Sequence, residues 1–214
     1  MTTWYVIPAR AGSKGFPKKN RTLVPIVLSS IAEEKKKNVI ITTDDHEIIK
    51  YAKTKGIKTL LRDDCLASDY ANMKDVMTDV SLKLELNEND TIVTLYPTYP
   101  QRKNEDIDKG LEFFHSNNLS SMLCRKKCNF PIPLIIESFG NLKGKPVVNK
   151  IHTRRQGWPE YFELCHFISI FKVKELENLN NNLFNDETGW MWIENKYDID
   201  DKNDWDLYLG SLNE

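Results

Sequence analysis

The chain has 214 residues, and its 30 Lys and Arg against 31 Asp and Glu leave a formal net charge of -1. That length suffices for one α/β domain with a full hydrophobic core, and the even charge balance excludes the basic excess of a nucleic-acid binder. No apolar run approaches the roughly 20 residues that cross a bilayer, so no membrane span is expected.

Residues 3–7 form an apolar run ending at Pro8 and predict a buried strand, so no signal peptide is expected ahead of it. A loop rich in Gly, Pro and Lys follows, from Ala9 to Asn20. Residues 26–37, apolar first and charged at the end, predict a helix whose cations sit where the helix dipole prefers them. Residues 39–43 predict a second strand. Asp44 or Asp45 would cap a helix over 46–55, Gly56 would stop it, and 57–61 predict a third strand. Helices over 72–86 and 105–117 alternate with strands over 91–96 and 120–124.

This strand–helix alternation predicts an α/β, Rossmann-like architecture, a mostly parallel sheet flanked by helices. The second half reads differently. Pro131, Pro133, Gly140, Gly144 and Pro146 punctuate short strand-like pieces, which suggests an excursion from the main sheet. Strands over 167–173 and 190–193 and a helix over 204–209 complete the chain. No internal repeat is present, and residues 1–214 read as one domain. Cys65, Cys124, Cys128 and Cys165 match neither a disulfide framework nor zinc-ribbon spacing and read as reduced thiols of a cytoplasmic protein.

Two features point to chemistry. The loop Ala9-Arg10-Ala11-Gly12-Ser13-Lys14-Gly15 lies directly after the first strand, where open α/β sheets place ligands. Its glycines let the backbone approach an anion, and Arg10, Lys14 and Lys19 add positive charge. It is not a Walker motif, and by itself it reads equally well as an ordinary surface loop. The second feature is Asp198-Ile199-Asp200. Two carboxylates two residues apart face the same way in an extended segment, and magnesium takes one or two carboxylates plus substrate phosphates. The competing reading is a merely acidic loop, since Asp201, Asp204 and Asp206 follow. His46, His115, His152 and His166 form no motif.

The segment from Ile7 to Asn20, IPARAGSKGFPKKN, closely resembles the IPARxGSKGxPxKN signature of the acylneuraminate cytidylyltransferases, with every fixed position present. Thr42-Thr43-Asp44-Asp45 resembles the family's STDD turn, and Arg62 with Leu66-Ala67-Ser68-Asp69 its RPxxLAxD segment. Arg154-Arg155-Gln156 with Pro159 resembles RRQxxP, and Ile199-Asp200 with Asp204 the IDxxxDL terminus.

The resemblance implies a fold of the nucleotide-diphospho-sugar transferase type and a magnesium-dependent joining of CMP, from CTP, to a nine-carbon α-keto sugar acid. The sugar's anomeric hydroxyl would attack the α-phosphorus and pyrophosphate would leave. It further implies a nucleotide site made of Ala9, Arg10, Ala11, Gly12, Ser13, Lys14, Asn20 and Arg62. Arg10, Ser13 and Lys19 would hold the triphosphate, and Asn20 would lie near the cytidine. Arg10, Lys19 and Asp200 would be catalytic, and Asp198 and Asp200 would hold magnesium. A homodimer is implied too, with residues 130–161 as its arm.

Acceptor contacts are expected from Tyr96, Thr98, Tyr99, Arg102, Arg155 and Gln156. Here the chain departs from the family: Tyr96-Pro97-Thr98-Tyr99-Pro100-Gln101-Arg102 replaces QPTSPLR, and at least one of the two tyrosines is expected to pack in the core. Glu163, Cys165 and His166 stand where the family has Arg and then Asn-Gly. A Glu where an Arg would meet a carboxylate points to a non-standard sugar acid, pseudaminic- or legionaminic-like. Two other readings stay open: another nucleotidyltransferase on this fold, and a non-catalytic nucleotide-binding module.

Overall fold

A computed structural model of the chain describes residues 1–128, 130, 132, 135–139, 143–148, 157, 159–194 and 196–212. The strands are β1 (Thr3–Pro8), β2 (Val39–Thr43), β3 (Lys58–Leu61), β4 (Thr91–Thr94), β5 (Ser121–Lys127), β6 (Ile136–Phe139), β7 (Lys143–Pro146), β8 (Phe162–Lys172) and β9 (Gly189–Trp192). The helices are α1 (Lys19–Ser29), α2 (His46–Thr54), α3 (Asp64–Ala67), α4 (Met73–Lys83), α5 (Asn104–Ser116) and α6 (Lys202–Ser211). Seven strands form one sheet in the order β3-β2-β1-β4-β8-β5-β9. Its pairs are parallel except those made by β8, which runs antiparallel to β4 and β5.

The period of two along each strand splits the core between the two faces of the sheet. Ile7, Ile41 and Val93 pack with Val24 and Val27 of α1, Ile48 of α2 and Ile107 of α5. Val6 and Ile92, their sequence neighbours, pack in a separate cluster with Val76, Met77 and Val80 of α4. Helices therefore cover both faces, as a buried parallel sheet requires.

Caps and stops follow the expected chemistry. Asp45 caps α2 by accepting from the Glu47 N–H at 2.9 Å, and Gly56 ends the turn after it with φ +66°. Asn72 caps α4 through the Asp75 N–H at 2.9 Å. Asp201 and Asp204 form a reciprocal capping box on α6.

The structure corrects two expectations and adds one strand direction that the sequence left open. The helix expected over 26–37 starts at Lys19, after Lys18 turns the chain with φ 60°, and ends at Ser29. The charged run that follows is a separate 3-10 turn, Glu33–Asn38, with no buried residue. It has no apolar stripe to hold a longer helix against the sheet. Next, β8 is longer than the expected strand because it pairs along both edges, reaching Phe162 opposite Lys127. Finally, β8 is antiparallel. Among the described residues no crossover helix separates β5 from β8, and the chain returns antiparallel beside the strand it has just left.

The intervening stretch carries β6 and β7, an antiparallel pair forming its own two-stranded sheet apart from the main one. Arg155 and Gln156, with Arg154, lie outside the described residues. Among the described residues no helix is long and apolar enough to cross a membrane, and Cys65, Cys124, Cys128 and Cys165 are free thiols.

Candidate active site

The strand order reverses direction between β1 and β4. From β1 the chain moves outward to β2 and β3, then returns to the other side of β1 as β4. Open α/β sheets bind ligands outside the carboxyl ends of such strands. A cavity of about 360 Å³ lies there, lined by Arg10, Ser13, Lys14, Lys19 and Asn20 from the first loop and α1. Arg62 after β3, Met73 of α4, and Tyr96 and Thr98 after β4 close it.

The first loop is tied down at several points. The Ala9 N–H donates to the Thr42 carbonyl at 3.0 Å, and the Ala9 carbonyl accepts from the Thr43 hydroxyl. The Ala11 N–H donates to Asp44 Oδ1 at 2.7 Å. Asn20 donates from Nδ2 to the Arg10 carbonyl at 2.8 Å, closing the loop onto its own helix. Ala11 and Gly12 are exposed at the loop's tip, and Ala9 is buried beneath it.

Cations crowd the cavity. The Arg10 guanidinium sits 2.9 Å from Asp69 Oδ1 and donates to the Ser68 carbonyl at 3.0 Å. Lys14 reaches Asp69 Oδ2 at 2.5 Å. Hydrogen bonds from Lys14 and Arg10 hold the Asp69 carboxyl below the ordinary carboxylate range. Arg62 is buried and donates to the Thr42 carbonyl at 3.0 Å. Burial pulls its pKa down to about 10, which still leaves a cation at neutral pH.

The acidic segment is docked onto this loop. Lys19 Nζ donates to the Ile199 carbonyl at 2.8 Å and the Asp200 carbonyl at 3.4 Å, and lies 3.5 Å from Asp200 Oδ1. The Ile199 N–H donates to the Thr98 carbonyl at 2.8 Å. Ile199 is fully buried in a small cluster with Leu23 and Tyr208. Asp198 is half-buried, and the Asp200 side chain is 81% exposed. Gly15 permits the approach, since a Cβ there would stand 2.8 Å from the Asp200 carbonyl oxygen.

Asp198 and Asp200 are the side chains that could hold a magnesium ion. No group of three or more acidic, His or Cys side chains gathers among the described residues, and magnesium takes only one or two carboxylates, completing its shell with phosphate and water. Lys19 neutralises part of the acidic charge meanwhile.

Of the residues expected at the acceptor side, Tyr96 and Thr98 line the cavity. Tyr99 and Arg102 do not: they are 3% and 1% exposed, inside the core. Arg102 donates to the Phe167 carbonyl at 2.5 Å and the Tyr96 carbonyl at 2.8 Å. Glu163 pairs with Lys126 at 3.2 Å.

Sequence reasoning missed the role of Asp69 as partner of both loop cations, and that of Thr42, Thr43 and Asp44 as the loop's supports. His166, noted in the sequence only as a departure from the family, has its ring against Tyr96 with centroids 5.0 Å apart. Its buried Nδ1 has no partner among the described residues, and burial lowers its pKa. The family resemblance marks the histidine but not its contact with Tyr96, which lies 70 positions away.

Comparison with known proteins adds to this geometry. The sequence model described as Cytidylyltransferase matches residues 4–129. An N-acylneuraminate cytidylyltransferase of Streptococcus agalactiae serotype III is 30% identical over 127 residues, 55% of this chain and 30% of that protein. A CMP-N,N'-diacetyllegionaminic acid synthase of Legionella pneumophila is 33% identical over 121 residues, 50% of this chain and 50% of that one. The chain thus spans half or less of the length of these two relatives. The solved CMP:2-keto-3-deoxy-manno-octonic acid synthetase complexed with CTP superimposes with TM-score 0.66 at 14% identity, covering 100% of this chain and 99% of that one, a likeness of fold. The match over residues 4–129 takes in β1, its cation-rich loop and the Thr42–Asp45 turn that fastens it, and by that match the chain belongs to the cytidylyltransferase family.

Proposed function

We propose that the chain transfers CMP from CTP to the anomeric hydroxyl of a sialic-like α-keto sugar acid, releasing pyrophosphate. The observation that carries this reading is the docking of the Asp198–Asp200 segment onto the cationic loop by Lys19. It sets the two carboxylates of that segment beside Lys19, one of the cations that line the cavity. Nucleotidyl transfer runs mainly on positioning and on neutralising charge at the phosphates.

Arg10, Lys14 and Lys19 would hold the triphosphate oxygens and offset the charge that builds on departing pyrophosphate. Arg62 would add a fixed cation at the nucleotide end. Asp198 and Asp200 would hold magnesium, which when bound supplies further charge neutralisation at the phosphates and can help ionise the attacking hydroxyl. Tyr96 and Thr98 line the same cavity, and the acceptor would lie against them. Tyr96, backed by His166, departs from the family pattern there, which favours a nonulosonic acid other than N-acetylneuraminate. The β6–β7 hairpin is our candidate for part of a homodimer arm.

The test is pyrophosphate release with CTP, magnesium and a panel of nonulosonic and octulosonic acids, beside Asp200→Ala. Release is expected with CTP and one acid of the panel, and is expected to be lost in the variant. CTP binding without release from any acid would overturn the transferase reading. Release with N-acetylneuraminate alone would overturn the substrate assignment.

Gly15 gives a second expectation. Gly15→Ala forces the Asp200 main chain to move, and misplacing reacting groups by about 1 Å costs on the order of 100-fold. The turnover number is therefore expected to fall about 10- to 100-fold, with a smaller change in KM for CTP. Steady-state kinetics separate the two.

A further inference from the structure

Tyr99 stands behind the acidic segment rather than in the cavity. Its ring is buried and meets Phe167 of β8 edge-on, with centroids 5.6 Å apart and planes at 90°. Its hydroxyl emerges from this packing and donates to Asp198 Oδ2 at 2.6 Å. The same oxygen accepts from the Cys165 thiol at 3.5 Å.

The direction of this chain is fixed by chemistry. A carboxylate oxygen can only accept, so the single phenol proton of Tyr99 is the one given to Asp198 Oδ2. With that proton committed, the phenol oxygen is left as the acceptor for the buried Cys165 thiol. Cys165 therefore donates to Tyr99, and Tyr99 donates to the carboxylate. A hydrogen bond from a neutral donor to a carboxylate is among the stronger and shorter kinds. It commits Oδ2 and fixes the plane of the group, while Oδ1 makes no hydrogen bond within the described residues. A flexible aspartate becomes a ligand with one oxygen presented.

We infer that Tyr99 is a positioning residue for the metal-holding carboxylate: its hydroxyl, anchored through Phe167 and Cys165 to β8, orients Asp198 so that Oδ1 is presented to a divalent cation. This rests on the proposed function, which assigns that cation to Asp198 and Asp200. Groups that orient a metal ligand change metal affinity by about 10- to 100-fold when removed.

The experiment is Mn2+ binding to the protein–CTP complex, without acceptor, read by electron paramagnetic resonance for the wild type, Tyr99→Phe and Asp198→Asn. Metal-free CTP affinity and thermal melting are measured beside it. Tyr99→Phe keeps the ring and its packing and removes only the hydroxyl. We expect Mn2+ affinity to fall about 10- to 100-fold in this variant, with metal-free CTP affinity unchanged. Incorporating 3-fluorotyrosine at position 99 keeps the hydroxyl and is expected to retain wild-type Mn2+ affinity; it serves as the test pair with the wild type and Asp198→Asn if the Phe variant does not fold. Loss of affinity with 3-fluorotyrosine would overturn the inference. So would wild-type Mn2+ affinity in Tyr99→Phe alongside its loss in Asp198→Asn, while leaving the metal assignment standing. Unchanged affinity in Asp198→Asn would overturn the metal assignment itself and the inference with it.

Discussion

Lys19→Met is expected to lower kcat/KM for CTP by about 100- to 1,000-fold, the scale seen when one charge-stabilising donor is removed from a preorganised site. The Lys19 side chain is 12% exposed, and its ammonium lies where the first loop meets the acidic segment. Removing it takes away the cation proposed for the triphosphate and also frees the Ile199 carbonyl it held at 2.8 Å. The second effect is small, since a single hydrogen bond contributes about 1 kcal/mol net. The stability change is therefore modest and the kinetic change large. Melting curves and steady-state kinetics on the same preparation read both. A Lys19→Met protein that turns over like the wild type would show that the ammonium only fastens the segment in place.

Arg102→Ala has its largest effect on stability. Arg102 is 1% exposed and bonds the carbonyls of Phe167 and Tyr96. No carboxylate lies within ion-pair distance among the described residues. Burying this cation costs free energy, as its pKa of about 10 reflects. Removing it relieves that cost, but leaves two carbonyls unpaired, at about 1–3 kcal/mol each, and opens a cavity in the core. The loss side is larger. A net destabilisation of about 3 kcal/mol would lower Tm by roughly 6–12 °C in a chain of this size. Thermal melting checks it. If Arg102 served the acceptor instead, as its place in the sequence motif implied, Tm would hold and only acceptor KM would rise.

The contrast between these two residues shows what could be read from the sequence. Strand–helix alternation was visible because β1, β2 and β4 are dense in β-branched and aromatic residues and are bounded by Pro, Gly and Asp. The cation-rich loop was visible because its residues adjoin in sequence. Arg102 was misplaced because a motif gives order and not direction: the chain turns after Pro100, and the side chain enters the core beneath β8. The reversal of β8 was hidden for a related reason, since strand polarity depends on the connection, and that connection carries no helical period. The partnership of Arg10 and Lys14 with Asp69, and of Tyr99 with Asp198, joins residues far apart in the chain. No local pattern encodes it.

The Lys19–Ile199 bond spans 180 positions of the chain. Contacts between such distant segments form late, because the entropy of closing the loop must be met before they yield any gain. During synthesis the phosphate loop and its supporting turn can fold while the acidic segment has yet to be made. Arg10 and Lys14 already have Asp69 as a partner at that stage. On the proposed function, catalytic competence would belong to the last stage of folding, when residues 198–200 settle against Gly15, and a partly made chain could hold a nucleotide without being able to consume it.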